Sequence, residues 1–333
     1  MVVETMERIE IDLKENYLNR LSKDILASLL KDHSSGKNII WATDNYSHKG
    51  IGFQKHDTIE MSAITGFNGN TVKPRITKSK KEQAERIRQK AEVFTPTWIC
   101  NKQNNLVDNA WFGMDAVFNT EEEKEWSDTQ GKIPFPTPSG KTWTDYVENT
   151  CLEITCGEAP YLVSRYDVVT GEYIELSHRI GLLDRKLRVV AENTGTDSDW
   201  LKWARIAFQN IYGFDWQGDN VLLARENLLL TYIDYYKAKF SIEPSVDLLL
   251  DIAEIISWNI WQMDGLKYVI PESCIETDGG QLSFFEEDMK RKPCPGCLKN
   301  DPFAHTGIYC RIKDWKANKT VKFVSLLKKR GAQ

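Results

Sequence analysis

Three acidic residues end short apolar runs, where a carboxylate could hold a ligand. Glu153 lies just before Gly157, Asp215 ends the next run, and Asp264 follows a third. A glycine directly after a strand lets the backbone approach a ligand closely. A carboxylate at the same edge of a sheet can accept both hydroxyls of a ribose. Each position alone also fits an ordinary strand-to-helix turn, with Asp215 as a helix N-cap.

A polar tripeptide, Asp44-Asn45-Tyr46, follows another apolar run at 38–43. It offers a hydrogen-bond acceptor, a second polar group and an aromatic ring that could stack on a flat ligand. The alternative is a plain turn in which Tyr46 caps the surface.

A second group of residues has the ligand types of a tetrahedral zinc site. Cys294 and Cys297 form a C-x-x-C pair, and His305 and Cys310 follow. The first pair has the spacing of zinc ligands, whereas the spacing of the second half is not diagnostic. In a basic segment with little apolar content, a structural zinc would replace a missing core. The alternative is a pair of free thiols in a turn.

The elements that would position these residues alternate between strand and helix. Such alternation is typical of an α/β protein with a Rossmann-like, doubly wound sheet flanked by helices, in which ligands bind at the carboxyl edge. Thr95-Pro96 is a good helix start. The apolar patterns predict helices within 5–32, 77–91, 198–210, 218–240 and 246–256, and strands at 38–43, 151–156, 211–215 and 258–261.

Four segments resemble motifs of the S-adenosylmethionine (SAM)-dependent amino-group DNA methyltransferases, in the family's order. Residues 91–96, AEVFTP, resemble its E-V-F-T-P run, and residues 152–162, LEITCGEAPYL, resemble its L-E-P-x-C-G-x-G-x-x-L motif. Residues 211–228 and 259–266 resemble its Y-G-x-E/D … A-R-x-N-L and N-I-x-x-x-D-x-L motifs. The chain is also similar to the modification subunits of restriction systems.

This resemblance implies a role for each matching residue. Phe94 would pack on the cofactor, Glu153 and Gly157 would flank its methionine part, Asp215 would hold the ribose, and Asp264 would bind the adenine amino group. The SAM-binding residues implied in this way are Phe94, Thr95, Pro96, Glu153, Cys156, Gly157, Asp215 and Asp264.

The chain departs from the family pattern at two points. Ala159 stands where the second glycine of the loop is usual, which still allows close approach if its φ is negative. The catalytic D/N/S-P-P-Y/F/W motif is missing. That motif bonds both hydrogens of the target amino group, so that its lone pair points at the methyl sulfonium, and stacks a ring on the flipped base.

Two segments compete for the catalytic role. Asp44-Asn45-Tyr46 follows a predicted strand and precedes the SAM motifs, as in the permuted order of some family members. Residues 300–303, NDPF, match the letters of the catalytic motif more closely, but they follow the turn that contains Cys294 and Cys297 rather than a strand. Because a sheet is needed to aim the motif, we favour Asp44, Asn45 and Tyr46.

Charge is distributed unevenly along the 333 residues. The net charge is −5 and the pI is about 5.7, which excludes a uniformly basic, histone-like binder. Residues 71–90 carry +6 and residues 290–333 carry +10, so the remainder carries −21. Basic segments on an acidic body favour phosphate contacts at one face, although they also fit a solvated helix and tail. The candidate DNA-binding residues are Lys73, Arg75, Lys78, Lys80 and Lys81.

These features predict N-terminal helices at 1–37, a methyltransferase domain at 38–280 with an irregular insertion at 109–150, and a small basic extension at 281–333. No run is long and apolar enough for a membrane span, and the acidic N-terminus is unlike a secretory signal, so we expect a cytoplasmic protein.

The expected function is methylation of an exocyclic amino group in DNA, on adenine more than cytosine. The alternatives are a catalytically silent SAM- and DNA-binding subunit that works with a restriction or other partner subunit, and a methyltransferase acting on RNA or protein.

Overall fold

A computed structural model of the chain describes residues 14–90, 92–274 and 293–330. Ala91 and the expected domain boundary at 280–281 lie outside these ranges. The α-helices of the described ranges are α1 (Lys14–Leu21), α2 (Lys23–Leu30), α3 (Met61–Ile64), α4 (Lys80–Lys90), α5 (Thr97–Phe112), α6 (Trp143–Val147), α7 (Leu182–Asn193), α8 (Asp197–Gln209), α9 (Gly218–Phe240), α10 (Val246–Asn259) and α11 (Pro295–Lys299). The strands are β1 (Asn119–Glu121), β2 (Trp126–Asp128), β3 (Cys151–Ile154), β4 (Ile211–Asp215), β5 (Ile260–Gln262), β6 (Arg311–Asp314) and β7 (Lys319–Lys322), and 3₁₀ helices cover Ser47–Lys49, Gly66–Asn68, Arg75–Thr77, Leu176–His178 and Phe323–Arg330.

A small parallel sheet of three strands, in the order β3-β4-β5, forms the centre of the fold. Cys151 lies opposite Ile211, and Gly213 lies opposite Ile260. Helices α7 and α8 connect β3 to β4, and α9 and α10 connect β4 to β5, because parallel neighbours need long crossover connections. This arrangement confirms the expected α/β class and brings the carboxyl ends of the strands to one edge.

The two faces of the sheet are covered differently. Ile211 and Ile260 face the main core, which the helices build. On the other face, Phe214 and Trp261 pack against Phe323, which follows the β6-β7 hairpin. Within the described ranges this second face carries a hairpin where a doubly wound sheet has helices. The cause is the alternation along β4 and β5, which places aromatic rings opposite the apolar residues of the hairpin.

Helix α9 is the central helix of the core. It is buried over most of its length, including its polar positions, and its polar residues are not confined to one face of the helix. A helix buried on all sides must satisfy its polar side chains internally. Arg225 and Asp219 of this helix do so through the two networks described below.

The fully buried Arg225 joins four backbone carbonyl groups. Its guanidinium donates to Leu29 O (2.6 Å), Lys31 O (2.9 Å), Ser257 O (3.0 Å) and Ile260 O (2.7 Å). These carbonyls belong to the C-terminal ends of α2 and α10 and to β5, and a helix C-terminus attracts a cation. Burial lowers the pKa of Arg225 to about 10, so it stays charged at neutral pH. The N-terminal helices are thereby tied into the same core as the sheet.

The expected strand at 38–43 does not form as a regular strand. It makes isolated bridges, such as Ile40 with Thr58, and no ladder. The side chain of Gln262 takes the place of a neighbouring strand, because it accepts from Ile40 N (2.9 Å) and donates to Ile40 O (2.8 Å). Ala42 then adopts a positive φ of 52°, which turns the chain before Asp44.

The 109–150 segment is more regular than expected. It contains the antiparallel β1-β2 hairpin and helix α6, which begins with a capping box at Thr142. Trp111, Phe112 and Phe135 pack with Tyr146 as a local core. Among the described helices, we find none with the length and apolarity needed to cross a bilayer.

Arg225→Met should lower the free energy of unfolding by about 3 kcal/mol or more, because it leaves several buried carbonyls without donors at about 1–3 kcal/mol each. Chemical denaturation measures this loss. The matched control is Arg205→Met, which breaks a half-exposed ion pair with Asp251 and should cost less than about 1 kcal/mol. Equal losses in the two variants would contradict the role given to Arg225.

Candidate functional site

A cavity of about 330 Å³ lies at the carboxyl edge of β3 and β4. Its walls come from three stretches of chain that the sequence motifs singled out, at 92–95, 153–161 and 215–220. Its aromatic lining consists of Phe94, Tyr161 and Trp216. A concave site with aromatic walls and a few polar groups is the usual form of a small-molecule site.

Asp215 lies at the floor of this cavity, where β4 ends. Its carboxylate accepts from Gly157 N (3.0 Å), Gln217 N (2.9 Å) and Asn220 Nδ2 (3.4 Å). The bond to Gly157 ties the loop after β3 to the end of β4. Burial raises the pKa of Asp215 to about 6, against the opposing effect of these hydrogen bonds.

Unlike Asp215, three residues that line the cavity have a buried oxygen without a hydrogen-bond donor among the described residues. These oxygens are Glu153 Oε2, Glu92 Oε1 and Asn220 Oδ1. Burial raises the pKa of Glu153 well above its ordinary range. Because a buried acceptor without a donor is costly, this wall is suited to a ligand that brings donors or positive charge. Sequence motifs indicated Glu153, but gave no role to Glu92 or Asn220.

The loop after β3 approaches the ring of Phe94 closely. Gly157 has a φ of 53°, and a Cβ added there would lie 3.3 Å from that ring, so glycine suits the position on both counts. Ala159 is fully buried with a φ of 64°, so the condition of a negative φ, under which an alanine would still allow close approach, is not met. The left-handed conformation costs Ala159 about 1 kcal/mol.

The other predicted cofactor residues line the cavity, flank it or lie outside it. Thr95 lines the wall, and Pro96 is the N-cap residue of α5. Cys156 lines it too but is 1% exposed, and burial raises the pKa of its thiol. Asp264 does not line this cavity, since its carboxylate accepts from Leu266 N and Lys267 N in its own turn.

The tripeptide 44–46 is not displayed as a base-binding motif. Tyr46 is only 7% exposed, its ring packs on Trp41, and its hydroxyl donates to Asp219 Oδ2 (2.7 Å). The assignment of Tyr46 as a stacking ring is therefore corrected to a core residue, because Asp219 provides a buried partner that the sequence could not indicate. Asp44 is exposed. Asn45 is partly buried, and its Nδ2 has no hydrogen-bond partner among the described residues.

Asp219 forms ion pairs with two residues of the basic segment at 71–90. Arg86 donates to Asp219 (2.6 Å) and to Glu92, and Lys78 Nζ lies 3.5 Å from Asp219. Burial would raise the pKa of Asp219, but the charges of Arg86 and Lys78 hold it below its ordinary value. This network fixes the basic segment, Glu92 of the cavity wall and Tyr46 to the start of α9.

The candidate DNA-binding residues divide into two groups. Lys78 is 8% exposed inside the network, so its assignment to DNA binding is corrected to a structural one. Lys73 and Arg75 are half-buried, and Arg75 lies over the ring of Phe94. Lys80 and Lys81 are exposed on α4 and remain available to phosphate.

The metal-type residues form a cluster near the C-terminus. Cys274, Cys294, Cys297 and His305 have ligand atoms within 4.8 Å of one another, and this group could hold a metal ion. The sequence prediction named three members of this cluster, Cys294, Cys297 and His305, but gave Cys310 as the fourth. Cys310 is buried elsewhere, with its thiol donating to Gln262 O (3.3 Å). Cys274 was missed because it is 20 residues before Cys294 and has no local spacing signal.

Comparison of the chain with protein-family models, with curated proteins and with solved structures gave no match.

The raised pKa of Asp215 predicts that the affinity for any ligand whose hydroxyls donate hydrogen bonds to this carboxylate depends on pH. The deprotonated form predominates only above about pH 6, so affinity should rise with pH through this value and be about tenfold lower at about pH 5 than at about pH 7.5. Equilibrium binding of SAM across this range measures the effect. Asp215→Asn, which cannot titrate, should bind more weakly and lose this rise. A rise that persists in Asp215→Asn would assign the titration to another group.

Proposed function

We propose that the cavity binds SAM and that the chain is the SAM- and DNA-binding subunit of an amino-group DNA methyltransferase. The observation that carries this proposal is a cavity at the carboxyl edge of β3 and β4 that is lined by Asp215, by Phe94 and by three residues with a buried oxygen that has no donor among the described residues, Glu92, Glu153 and Asn220. The resemblance of the four motifs to the methyltransferase family supports the same ligand. The consecutive order of β3, β4 and β5, joined by helical crossovers, is compatible with a Rossmann-like sheet.

The chemistry of the wall matches that of SAM. SAM presents an ammonium group, two ribose hydroxyls and a sulfonium, which are donors or positive charges, together with a carboxylate and a flat adenine. Asp215 would accept the ribose hydroxyls, and Glu153 would accept from the ammonium end. Phe94, held by Arg75 and Gly157, would cover a flat or apolar part of the ligand. When bound, SAM supplies an electrophilic methyl group.

Holding the target base needs residues beyond this cavity. An acceptor must bond the amino group and a ring must stack on the flipped base. Tyr46 is enclosed in the core, so we assign the base-holding residues to a partner subunit. The edge of the sheet supports this assignment: β3 pairs on one side only within the described ranges, and Leu152 and Ile154 are 44% and 65% exposed. An unpaired edge strand is a template for a strand from another chain.

A second candidate function is favoured by one contact. Trp216, which lines the cavity, donates through Nε1 to Ala42 O (3.0 Å), so the turn at 43–45 lies beside the cofactor cavity. In this second function the chain methylates DNA without a partner, with Asp44 and Asn45 bonding the amino group of the base. Both functions share the SAM cavity and differ in the origin of the base-holding residues.

Binding of labelled SAM to the purified chain tests the shared proposal. Wild type should bind SAM saturably, and Phe94→Ala should weaken binding at least about tenfold, because burial of a phenylalanine side chain contributes about 1.5–3 kcal/mol. The matched control Phe67→Ala removes a fully exposed ring elsewhere and should bind like wild type. A chain that is folded by circular dichroism but does not bind SAM contradicts the proposal.

Transfer of the labelled methyl group to mixed-sequence duplex DNA separates the two functions. The subunit function predicts SAM binding without transfer by the chain alone. Transfer by the chain alone, abolished in Asp44→Ala, would establish the second function, and digestion of the product to nucleosides would name the base. Transfer to RNA or protein with none to DNA would contradict both.

The exposed lysines of α4 should contribute to DNA binding through phosphate contacts. Lys80→Gln with Lys81→Gln should weaken binding to duplex DNA and reduce the slope of log K against log salt by up to about 2, since each phosphate contact contributes about 0.9. Fluorescence anisotropy over a salt series measures both. Lys237→Gln with Lys239→Gln, exposed at the end of α9, is the matched control of equal charge. The same loss of slope in both pairs would show a general charge effect and refute a specific role for α4.

A further inference from the structure

We infer that Cys274, Cys294, Cys297 and His305 bind one structural zinc ion. This ion would fasten the C-terminal hairpin module, which consists of α11, β6 and β7, to the loop that leaves β5. This inference rests on the cluster alone and is independent of the proposed SAM and DNA functions. It concerns a site whose fourth ligand, Cys274, comes from a separate part of the chain.

The distances within the cluster match tetrahedral zinc. His305 Nδ1 lies 3.6 Å from Cys274 Sγ, 3.6 Å from Cys294 Sγ and 3.7 Å from Cys297 Sγ. Zinc bonds of about 2.3 Å to sulfur and about 2.0–2.1 Å to nitrogen place tetrahedral ligands about 3.6 Å apart. One imidazole nitrogen thus lies at nearly equal distance from three thiols, as one ion at their centre requires.

The nature of the ligands selects the metal. Three thiolates and an imidazole suit zinc, whereas calcium and magnesium require oxygen ligands. All seven cysteines are free, so no disulfide competes for these sulfurs in this structure. Four protein ligands fill a tetrahedral shell, which is the closed form of a structural zinc site rather than a catalytic one.

A glycine and a backbone N–H next to the cluster suit a metal site. Gly296 lies between Cys294 and Cys297, and a Cβ there would be 2.6 Å from His305 Nδ1, so a larger residue would push this ligand away. Thr306 N donates to Cys294 Sγ (3.2 Å). A backbone donor of this kind stabilises the negative charge of a metal-bound thiolate.

The position of the cluster explains what the metal would hold. Cys274 ends the described loop after β5, where Val269 bridges Tyr309, and Ile270 N donates to Ile308 O. Cys294, Cys297 and His305 belong to the module of α11, β6 and β7. Of the five buried residues in the core on this face of the sheet, only Cys310 comes from that module, so a metal would supply much of the module's stability. The zinc would cross-link loop and module and keep the hairpin on the second face of the sheet.

Metal content of the purified, untagged chain tests this inference. Wild type grown with zinc should carry about one zinc per chain by mass spectrometry of the acid-digested protein. Cobalt substitution should give the strong visible bands and sulfur-to-metal charge transfer of a tetrahedral thiolate site. A chain without zinc that also fails to bind added cobalt overturns the inference, and so does a stable disulfide in the cluster of protein kept under mild reductant.

Two cysteine variants test the choice of ligands. Cys274→Ser should lose zinc to a chelator at least tenfold faster than wild type and should unfold at a lower temperature. The matched control Cys310→Ser changes a buried thiol outside the cluster and should keep one zinc per chain. Zinc retained as tightly as in wild type by Cys274→Ser, or lost from Cys310→Ser, overturns the assignment. Because metal content is measured directly, the result does not depend on whether SAM binds.

Discussion

The contact on which the rest of the fold depends is the buried guanidinium of Arg225. It gathers carbonyls from the ends of α2 and α10 and from β5 around one residue of α9. Each of these carbonyls would otherwise lack a donor in the interior, and the guanidinium would be an uncompensated charge. Their mutual satisfaction fixes α9 against the sheet. Asp219 lies in the first turn of α9, and Asp215 ends β4 directly before this helix, so both carboxylates stand where α9 meets the sheet.

The first turn of α9 then organises the cavity wall. Asp219 is compensated by Arg86 and Lys78, so the basic segment is held against the acidic body at this point. Arg86 also reaches Glu92, which places one of the donorless acceptors in the wall. The polar groups of the region are thereby divided. Asp219 is bonded by Tyr46 and Arg86, whereas one oxygen each of Glu92, Glu153 and Asn220 has no donor among the described residues.

Much of the cavity could be predicted from the sequence because its residues are local to strand ends. Glu153 and Asp215 lie in β3 and β4, and Gly157 follows β3, so the parallel sheet brings these three together. Phe94 was indicated only by the resemblance of residues 91–96 to a family motif. The α/β class followed from the alternation of strands and helices. Partners distant in sequence were not predictable. Tyr46 and Lys78 looked like surface groups until Asp219 provided a buried partner for both.

The same reason explains the other errors. The run at 38–43 has the apolar pattern of a strand, but the amide of Gln262 takes the place of a neighbouring strand. Cys310 has a plausible spacing from His305, whereas Cys274 reaches the cluster only because the chain folds back after β5. Local pattern therefore indicated the types of residue at each site, and tertiary contacts decided which of them take part.

The central claim is that the acceptor-lined cavity is a SAM site. A crystal structure of the chain grown with excess SAM tests it most directly. We expect density in the cavity lined by Phe94, Tyr161 and Trp216, with the ribose hydroxyls within hydrogen-bond distance of Asp215 and the ammonium group facing Glu153. An empty cavity in crystals whose protein binds SAM in solution, or density for SAM at another site, would contradict it.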